Sequence, residues 1–189
     1  MAAQDMSLRQ HLRRVTQSRH EALDREFGSL DLNGRSGFSR FLLAHALGLQ
    51  SIEPGLVRFA RDELGMAPPS LSSLVQDDLN DLGVALPAAP FKDRAGQFPA
   101  ASAYVLCGSR LGLAHLRQQG YWGAAHGLAS RYMEDREALA LWKPLVAWLG
   151  QRPGEGAEAE RAGAAAIVCF DVFSRAFALS GQLLDAPAQ

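Results

Sequence analysis

The sequence predicts an all-α protein with a single domain, and three observations lead to that prediction. Apolar residues recur at helical spacing along almost the whole chain, while strand-like alternation is nearly absent. A length of 189 residues suits one hydrophobic core and is too short for two ordinary domains. The composition, 48% hydrophobic and 21% charged, is that of a globular chain. We therefore expect one multi-helix domain over residues 1–189.

The first helix is marked at both ends. Ser7 and Gln10 match a capping box, and Gly28 supplies a stop, so this helix is expected to end near residue 27. Farther along, Pro54 suits the first turn of a new helix. A second helix is expected from near residue 36 and a third up to residue 64. A leucine-lined helix over residues 70–82 and a Pro-rich connection over 87–99 follow, and then a long apolar helix over 99–119. The last predicted elements are a short glycine-interrupted stretch over 121–132, a helix over 135–149 that Pro144 kinks or breaks, and a final helix over 157–184.

Charge, cysteine content and missing motifs exclude several classes of function. The 19 Lys and Arg nearly balance the 20 Asp and Glu, so no broad positive field exists to bind nucleic acid or anionic lipid. No secretion signal or membrane-spanning run is evident, and Cys107 and Cys169 suggest neither a disulfide nor a zinc site, which fits a cytoplasmic location. The absence of HExxH, GxSxG and a phosphate-binding glycine loop removes zincin proteases, α/β-hydrolases and P-loop enzymes.

His20 is the first candidate functional residue. It lies at the rim of the apolar face of the first helix, and Arg13, Thr16 and Asp24 lie within about 40° of it on a helical wheel. Asp24 is one turn away and can reach a ring nitrogen, which is how metal-ligating imidazoles are usually oriented. Arg13 can meet an anion on the same side. Spacing alone favours a simpler interpretation, a half-buried histidine satisfied by a carboxylate.

Two glycines in the long apolar helix form the second candidate feature. Each helical glycine costs about 1 kcal/mol relative to alanine, so Gly108 and Gly112, on one face, need a reason. Tyr104 and His115 project from the same face and leave its middle bare, which suits a flat ligand lying against the helix. Tight helix–helix packing through small residues explains the glycines equally well. His45 stands alone among leucines and is expected to be a core or rim histidine.

Both features resemble motifs of one family. LRRVTQSRHEALD is similar to the first-helix motif of heme oxygenases, LR-x-x-T-x-x-x-H-x-x-L-D, and YVLCGSRLG resembles the bacterial form of their distal-helix motif, Y-V-x-E-G-S-x-L-G. Weaker similarity extends over nearly the whole chain. The first motif is matched at Leu8 or Leu12, Arg9 or Arg13, Thr16, His20, Leu23 and Asp24. The resemblance implies a heme-oxygenase-like bundle and a bacterial heme oxygenase.

The resemblance also implies roles for individual residues. His20 is expected to be the proximal ligand of heme iron, and Gly108 and Gly112 to let the distal helix bend close over the porphyrin. Heme is then both substrate and cofactor: with O2 and electrons from a donor such as a ferredoxin or a flavin reductase, it is cleaved to biliverdin, CO and ferrous iron. Arg13 and Lys143 match the basic residues that hold the heme propionates. The remaining residues expected at the site are Thr16, Asp24, Tyr104 and Ser109.

The sequence departs from the family pattern at three positions of the distal motif. Cys107, expected to be buried and inert, replaces the glutamate of the bacterial motif, and Leu113 follows Gly112 where many relatives have glycine. Ser109 stands where mammalian relatives carry an aspartate. These departures keep two alternatives open: a non-enzymatic heme-binding or regulatory protein on the same fold, and a helical interaction protein without heme.

Overall fold

The computed structural model describes residues 6–91 and 98–185, and within these ranges the chain is helical with no β-strand. The all-α prediction is therefore confirmed. Residues 92–97, part of the predicted Pro-rich connection, lie outside the described residues. The nine helices of the described ranges are α1 (Leu8–Gly28), α2 (Arg35–Asp62), α3 (Leu71–Asp81), α4 (Pro99–Gln119), α5 (Trp122–His126), α6 (Arg131–Glu134), α7 (Glu137–Ala140), α8 (Trp142–Gly150) and α9 (Ala157–Asp185).

Helix α1 begins as its sequence predicts and ends slightly later. The Gln10 N–H donates to Ser7 Oγ, and the Ser7 N–H donates to Gln10 Oε1 at 2.8 Å, which completes the capping box. At the other end Gly28 is still helical, and Ser29 provides the cap instead. Both the N–H and the hydroxyl of Ser29 donate to the Glu26 carbonyl, so the helix is stopped by side-chain capping rather than by glycine.

Helix α2 corrects one prediction, because it continues through Pro54 where a new helix was expected to begin. A proline inside a helix removes the hydrogen bond to the carbonyl four residues earlier, here that of Gln50. Pro54 and Gln50 both lie on the exposed side of α2, so water can satisfy that carbonyl. The apolar side of the same helix is buried and keeps its packing on both sides of the proline. One 28-residue helix results.

The helix predicted over residues 135–149 is divided, as Pro144 led us to expect, but the division lies earlier. Helix α7 ends at Ala140 and α8 begins at Trp142. A continuous helix would require Pro144 to donate an N–H to the Ala140 carbonyl, which proline cannot do. Within α8, Pro144 occupies the first turn, where no intrahelical donor is needed. The break therefore falls one turn before the proline and turns Trp142 toward α4.

Helix α9 packs against α1, α2 and α4, and glycines bring these helices close together. A β-carbon at Gly48 of α2 would lie 2.6 Å from the Phe173 ring of α9, and one at Gly163 of α9 would lie 2.8 Å from His11 of α1. Such distances leave no room for any side chain larger than hydrogen. Helix α9 is long and apolar enough to span a membrane by length and composition alone, and core helices meet the same two criteria.

A buried carboxylate joins α3 to α6. Asp78 is fully buried and accepts hydrogen bonds from the backbone N–H groups of Arg131 and Tyr132, at 3.1 and 2.8 Å, and from the Arg131 guanidinium. Burial raises the pKa of Asp78, and these hydrogen bonds oppose that shift. The carboxylate thus satisfies the start of α6 and fixes Tyr132 in the core.

We expect Asp78→Ala to lower the free energy of unfolding by about 3 kcal/mol, because it leaves two backbone N–H groups without an acceptor. Asp77→Ala is the matched control, since Asp77 is an exposed carboxylate on the same helix, and it should change stability by no more than about 0.5 kcal/mol. Urea unfolding followed by circular dichroism measures both values. Equal effects of the two substitutions would contradict this role of Asp78.

Candidate functional site

A cleft of about 370 Å³ opens between α1, α4 and α9, with α2 as its floor. Its volume falls within the range of about 300–1,000 Å³ typical of small-molecule sites. Most of its walls are apolar, and the polar groups are few. The residues that line it are His20, Leu23, Asp24, Phe27, Phe41, His45, Tyr104, Val105, Gly108, Ser109, Leu111, Gly112, Leu113, Leu116, Trp142, Phe170 and Phe173.

The α1 wall presents an imidazole that is oriented by a carboxylate. His20 Nδ1 lies 2.9 Å from Asp24 Oδ2, and the Phe170 ring meets the imidazole edge-on at 5.8 Å between centroids. A proton shared with Asp24 resides on Nδ1, so Nε2 is left with a free lone pair. More than half of each side chain is exposed, 57% for His20 and 68% for Asp24. The pair therefore stands at the mouth of the cleft rather than in the core.

The two glycines of the α4 wall have different surroundings. A β-carbon at Gly112 would meet no described atom within 4 Å, and one at Gly108 would touch only the Trp142 ring, at 3.6 Å. Gly112 packs against no other helix, whereas Gly108 is in ordinary contact with α8 through Trp142, without the close approach seen at Gly48 and Gly163. The helix-packing explanation therefore does not fit Gly112, and the bare surface at Gly112 faces the cleft.

The other residues of the distal motif are less open to the cleft. Cys107 is buried, and burial raises the pKa of its thiol to about 12. Ser109 lines the cleft and donates its hydroxyl hydrogen to the Leu106 carbonyl at 2.8 Å. Leu113 is buried and contributes an apolar side chain to the cleft wall. The motif thus offers no carboxylate on this side of the cleft.

The floor of the cleft holds a second imidazole. His45 is buried, and its ring lies 4.3 Å from that of Phe41, 4.7 Å from Phe27 and 5.8 Å from Phe173. Its Nδ1 donates a hydrogen bond to the Phe41 carbonyl at 2.8 Å. Burial among these rings lowers the pKa of His45 to about 4, so the imidazole is neutral at pH 7.

Tyr104 stands near one end of the cleft, beside cations of α1. Burial raises the pKa of its phenol, while a hydrogen bond with Thr16 and the nearby charges of Arg13 and Arg9 oppose that shift. Arg13 and Arg9 are exposed. This end of the cleft therefore has a positive potential suited to an anionic group.

The structure brings most of the predicted site residues to one cleft. Arg13 and Thr16 lie near Tyr104 but do not line the cleft, and Thr16 donates its hydroxyl hydrogen to the Leu12 carbonyl at 2.7 Å. Lys143 is exposed and next to Trp142, but does not itself line the cleft. His115 is likewise exposed, beside Gln119. The predicted residues that line the cleft are His20, Asp24, Tyr104, Gly108, Ser109 and Gly112.

His45 and Trp142 are two of the cleft residues that the sequence did not assign to the site. His45 was expected in the core or at its rim; it is buried, and it also forms part of the cleft floor. The available signal was its position one turn after Phe41 on the same side of the helix. An imidazole beside aromatic rings needs a polar partner, which indicates a site rather than simple core packing. Trp142 gave no usable signal, because its approach to Gly108 depends on the break after α7.

The donor set of the cleft is small. Among the described residues, no three His, Cys, Asp or Glu side chains converge as a protein-only metal site requires. His20 offers one imidazole nitrogen with its orienting carboxylate, a donor set that suits an iron already held by four porphyrin nitrogens. No model of a known protein family and no curated protein matches the chain.

Stability should depend on pH through His45. The unfolded chain protonates this residue near pH 6.5, whereas the folded protein does so only near pH 4. Between these values the unfolded chain binds more protons, so lowering the pH favours unfolding. We expect His45 to contribute about 3 kcal/mol less stability at pH 4 than at pH 7.

Urea unfolding at several pH values between 7 and 4, on the parent and on His45→Phe, measures this contribution. The difference in stability between the two proteins should change across that interval and stay constant above pH 7. Parallel pH profiles for the two proteins would contradict the buried, neutral state of His45.

Proposed function

We propose that this protein is a heme oxygenase that uses O2 and a reductant to cleave heme to biliverdin, CO and ferrous iron. The observation that carries the proposal is the arrangement of two surfaces around one cleft. The carboxylate-oriented His20 is on one wall, and the bare helical surface at Gly112 is on another. These are the two groups to which the resemblance assigns the iron and the distal face of the porphyrin.

The residues of the cleft fit heme in three respects. One imidazole nitrogen is available at His20, as an axial ligand requires. A position free of side chains is present at Gly112, where a β-carbon would stand in open space. The apolar floor suits a porphyrin edge, and Arg13 and Arg9 beside Tyr104 suit its propionates.

Bound heme supplies the iron at which O2 is activated, and the chain supplies orientation and shielding. Asp24 accepts a hydrogen bond from His20 Nδ1–H and so keeps Nε2 available as a ligand. Buried Leu113 and half-buried Leu116 present apolar side chains to the cleft from α4, next to the exposed Leu111. Ser109 Oγ, whose hydrogen is donated to Leu106, keeps lone pairs that accept a hydrogen bond from water in the cleft.

Hemin titration of the parent protein should give a sharp Soret band of a histidine-ligated heme, and ascorbate with O2 should convert it to biliverdin. We expect His20→Ala to lose that band and to lower the rate of biliverdin formation at least 100-fold, because the axial ligand is removed. His126→Ala is the control, since His126 is exposed and outside the cleft. A His20→Ala variant that binds and degrades hemin as the parent does would refute the ligand assignment.

The same experiment distinguishes the two alternatives. Heme that binds through His20 and persists under ascorbate and O2 would identify a non-enzymatic heme-binding or regulatory protein. Only weak, unsaturable absorbance changes would identify a helical interaction protein without heme. Either result contradicts the proposed oxygenase.

A second prediction concerns Gly112. Gly112→Ala should raise the free energy of unfolding of the ligand-free protein by about 0.5–1 kcal/mol, because alanine favours the helix and its β-carbon meets nothing. It should weaken hemin binding about tenfold, because the added methyl group occupies the surface on which the porphyrin lies.

Gly48→Ala provides the contrast, since its β-carbon collides with Phe173 and should destabilise the protein. Urea unfolding and hemin titration measure the two effects. Unchanged hemin affinity in Gly112→Ala would remove the glycine surface from the proposed site.

A further inference from the structure

The two ring nitrogens of His45, on the floor of the cleft, differ in their hydrogen bonding. A carbonyl oxygen only accepts hydrogen bonds, so the contact with Phe41 places the proton of neutral His45 on Nδ1. Nε2 is then an unprotonated acceptor at the far side of the ring. No hydrogen bond to Nε2 is found within the described ranges. Nε2 is nevertheless not one of the fully buried polar atoms that lack a partner. His45 lines the cleft, which is therefore the route by which this lone pair is reached.

The surroundings of His45 make that acceptor significant. Phe27, Phe41 and Phe173 flank the imidazole and offer no hydrogen-bond donor from their side chains. The Tyr132 ring also lies 5.4 Å from that of His45, and no hydrogen bond from its hydroxyl to His45 is found among the described residues. A polar atom in such surroundings gains from any N–H or O–H group that reaches it, whereas an apolar group leaves it unsatisfied. The floor of an otherwise apolar cleft thus discriminates between ligands that bring a donor and ligands that do not.

The end of the cleft at Tyr104 determines which part of a ligand reaches His45. Arg13 and Arg9 provide positive charge beside Tyr104, and they are exposed. At this exposed end the anionic edge of a porphyrin gains the most electrostatic attraction and loses the least hydration. The edge opposite the propionates therefore enters toward the buried floor.

We propose that His45 is a specificity-determining residue whose Nε2 accepts a hydrogen bond from an O–H or N–H group on the inner edge of a bound tetrapyrrole. The inference rests on the proposed function, because it takes the cleft ligand to be a tetrapyrrole. The cleft then binds tetrapyrroles with a donor at the edge remote from the propionates more tightly than those with purely hydrocarbon groups there.

Two iron porphyrins that differ only at that edge test the proposal. Iron hematoporphyrin carries hydroxyethyl groups where iron mesoporphyrin carries ethyl groups. Soret titration gives the Kd of each porphyrin for the parent and for His45→Phe, whose ring is similar in shape and lacks the acceptor. We expect the preference for the hydroxyl-bearing porphyrin to be five- to tenfold greater in the parent than in His45→Phe, about the effect of one hydrogen bond. His126→Phe, altered outside the cleft, should keep the parent ratio.

The outcomes separate the inference from the function on which it rests. Equal preference in the parent and His45→Phe, with both porphyrins bound, overturns the role of His45 and leaves the oxygenase proposal intact. Failure of the parent to bind either porphyrin overturns both. A measurement on the parent itself covers the case in which His45→Phe does not fold. The ¹⁵N resonance of His45 Nε2 should shift with iron-free hematoporphyrin and not with iron-free mesoporphyrin, and identical spectra would refute the proposal.

Discussion

The structure depends on the close approach of α9 to α1 and α2. Gly48 and Gly163 each face a ring from the neighbouring helix at a distance that a β-carbon would not tolerate, and the partners are Phe173 and His11. Gly181 faces the end of the flexible Arg40 side chain at 2.9 Å. The contacts at Gly48 and Gly163 hold three helices at fixed separation and so determine the width of the cleft. Phe173 links the two regions, because its ring fills the space at Gly48 and also lines the cleft beside His45.

Glycines serve two opposite purposes in this molecule, and the sequence does not separate them. Gly48 and Gly163 are required because something lies against them, whereas Gly112 is bare because nothing does. In sequence all three are simply glycines within apolar helices. Only the positions of the neighbouring helices show which glycine fills a contact and which leaves a surface open. For Gly108 and Gly112 the sequence left both explanations standing; the tertiary structure leaves the surface at Gly112 open and places the Trp142 ring against Gly108.

Local signals predicted much of the fold and part of the candidate site. The capping box at Ser7 and the contact between His20 and Asp24 are interactions within one helix, so spacing was enough to predict them. The continuation of α2 through Pro54 depends on which side of the helix faces solvent. The division at Leu141 depends on the N–H that Pro144 lacks, one turn later. The place of His45 on the cleft floor requires rings from three different helices, which no local pattern contains.

The buried thiols have a consequence for a protein that is proposed to handle oxygen. Cys107 adjoins the glycine surface and Cys169 lies in α9, and burial raises the pKa of both to about 12. Peroxide and alkylating agents react with thiolates, and almost none is present at such a pKa in neutral solution. Neither buried thiol therefore offers a nucleophile to an oxidant in neutral solution.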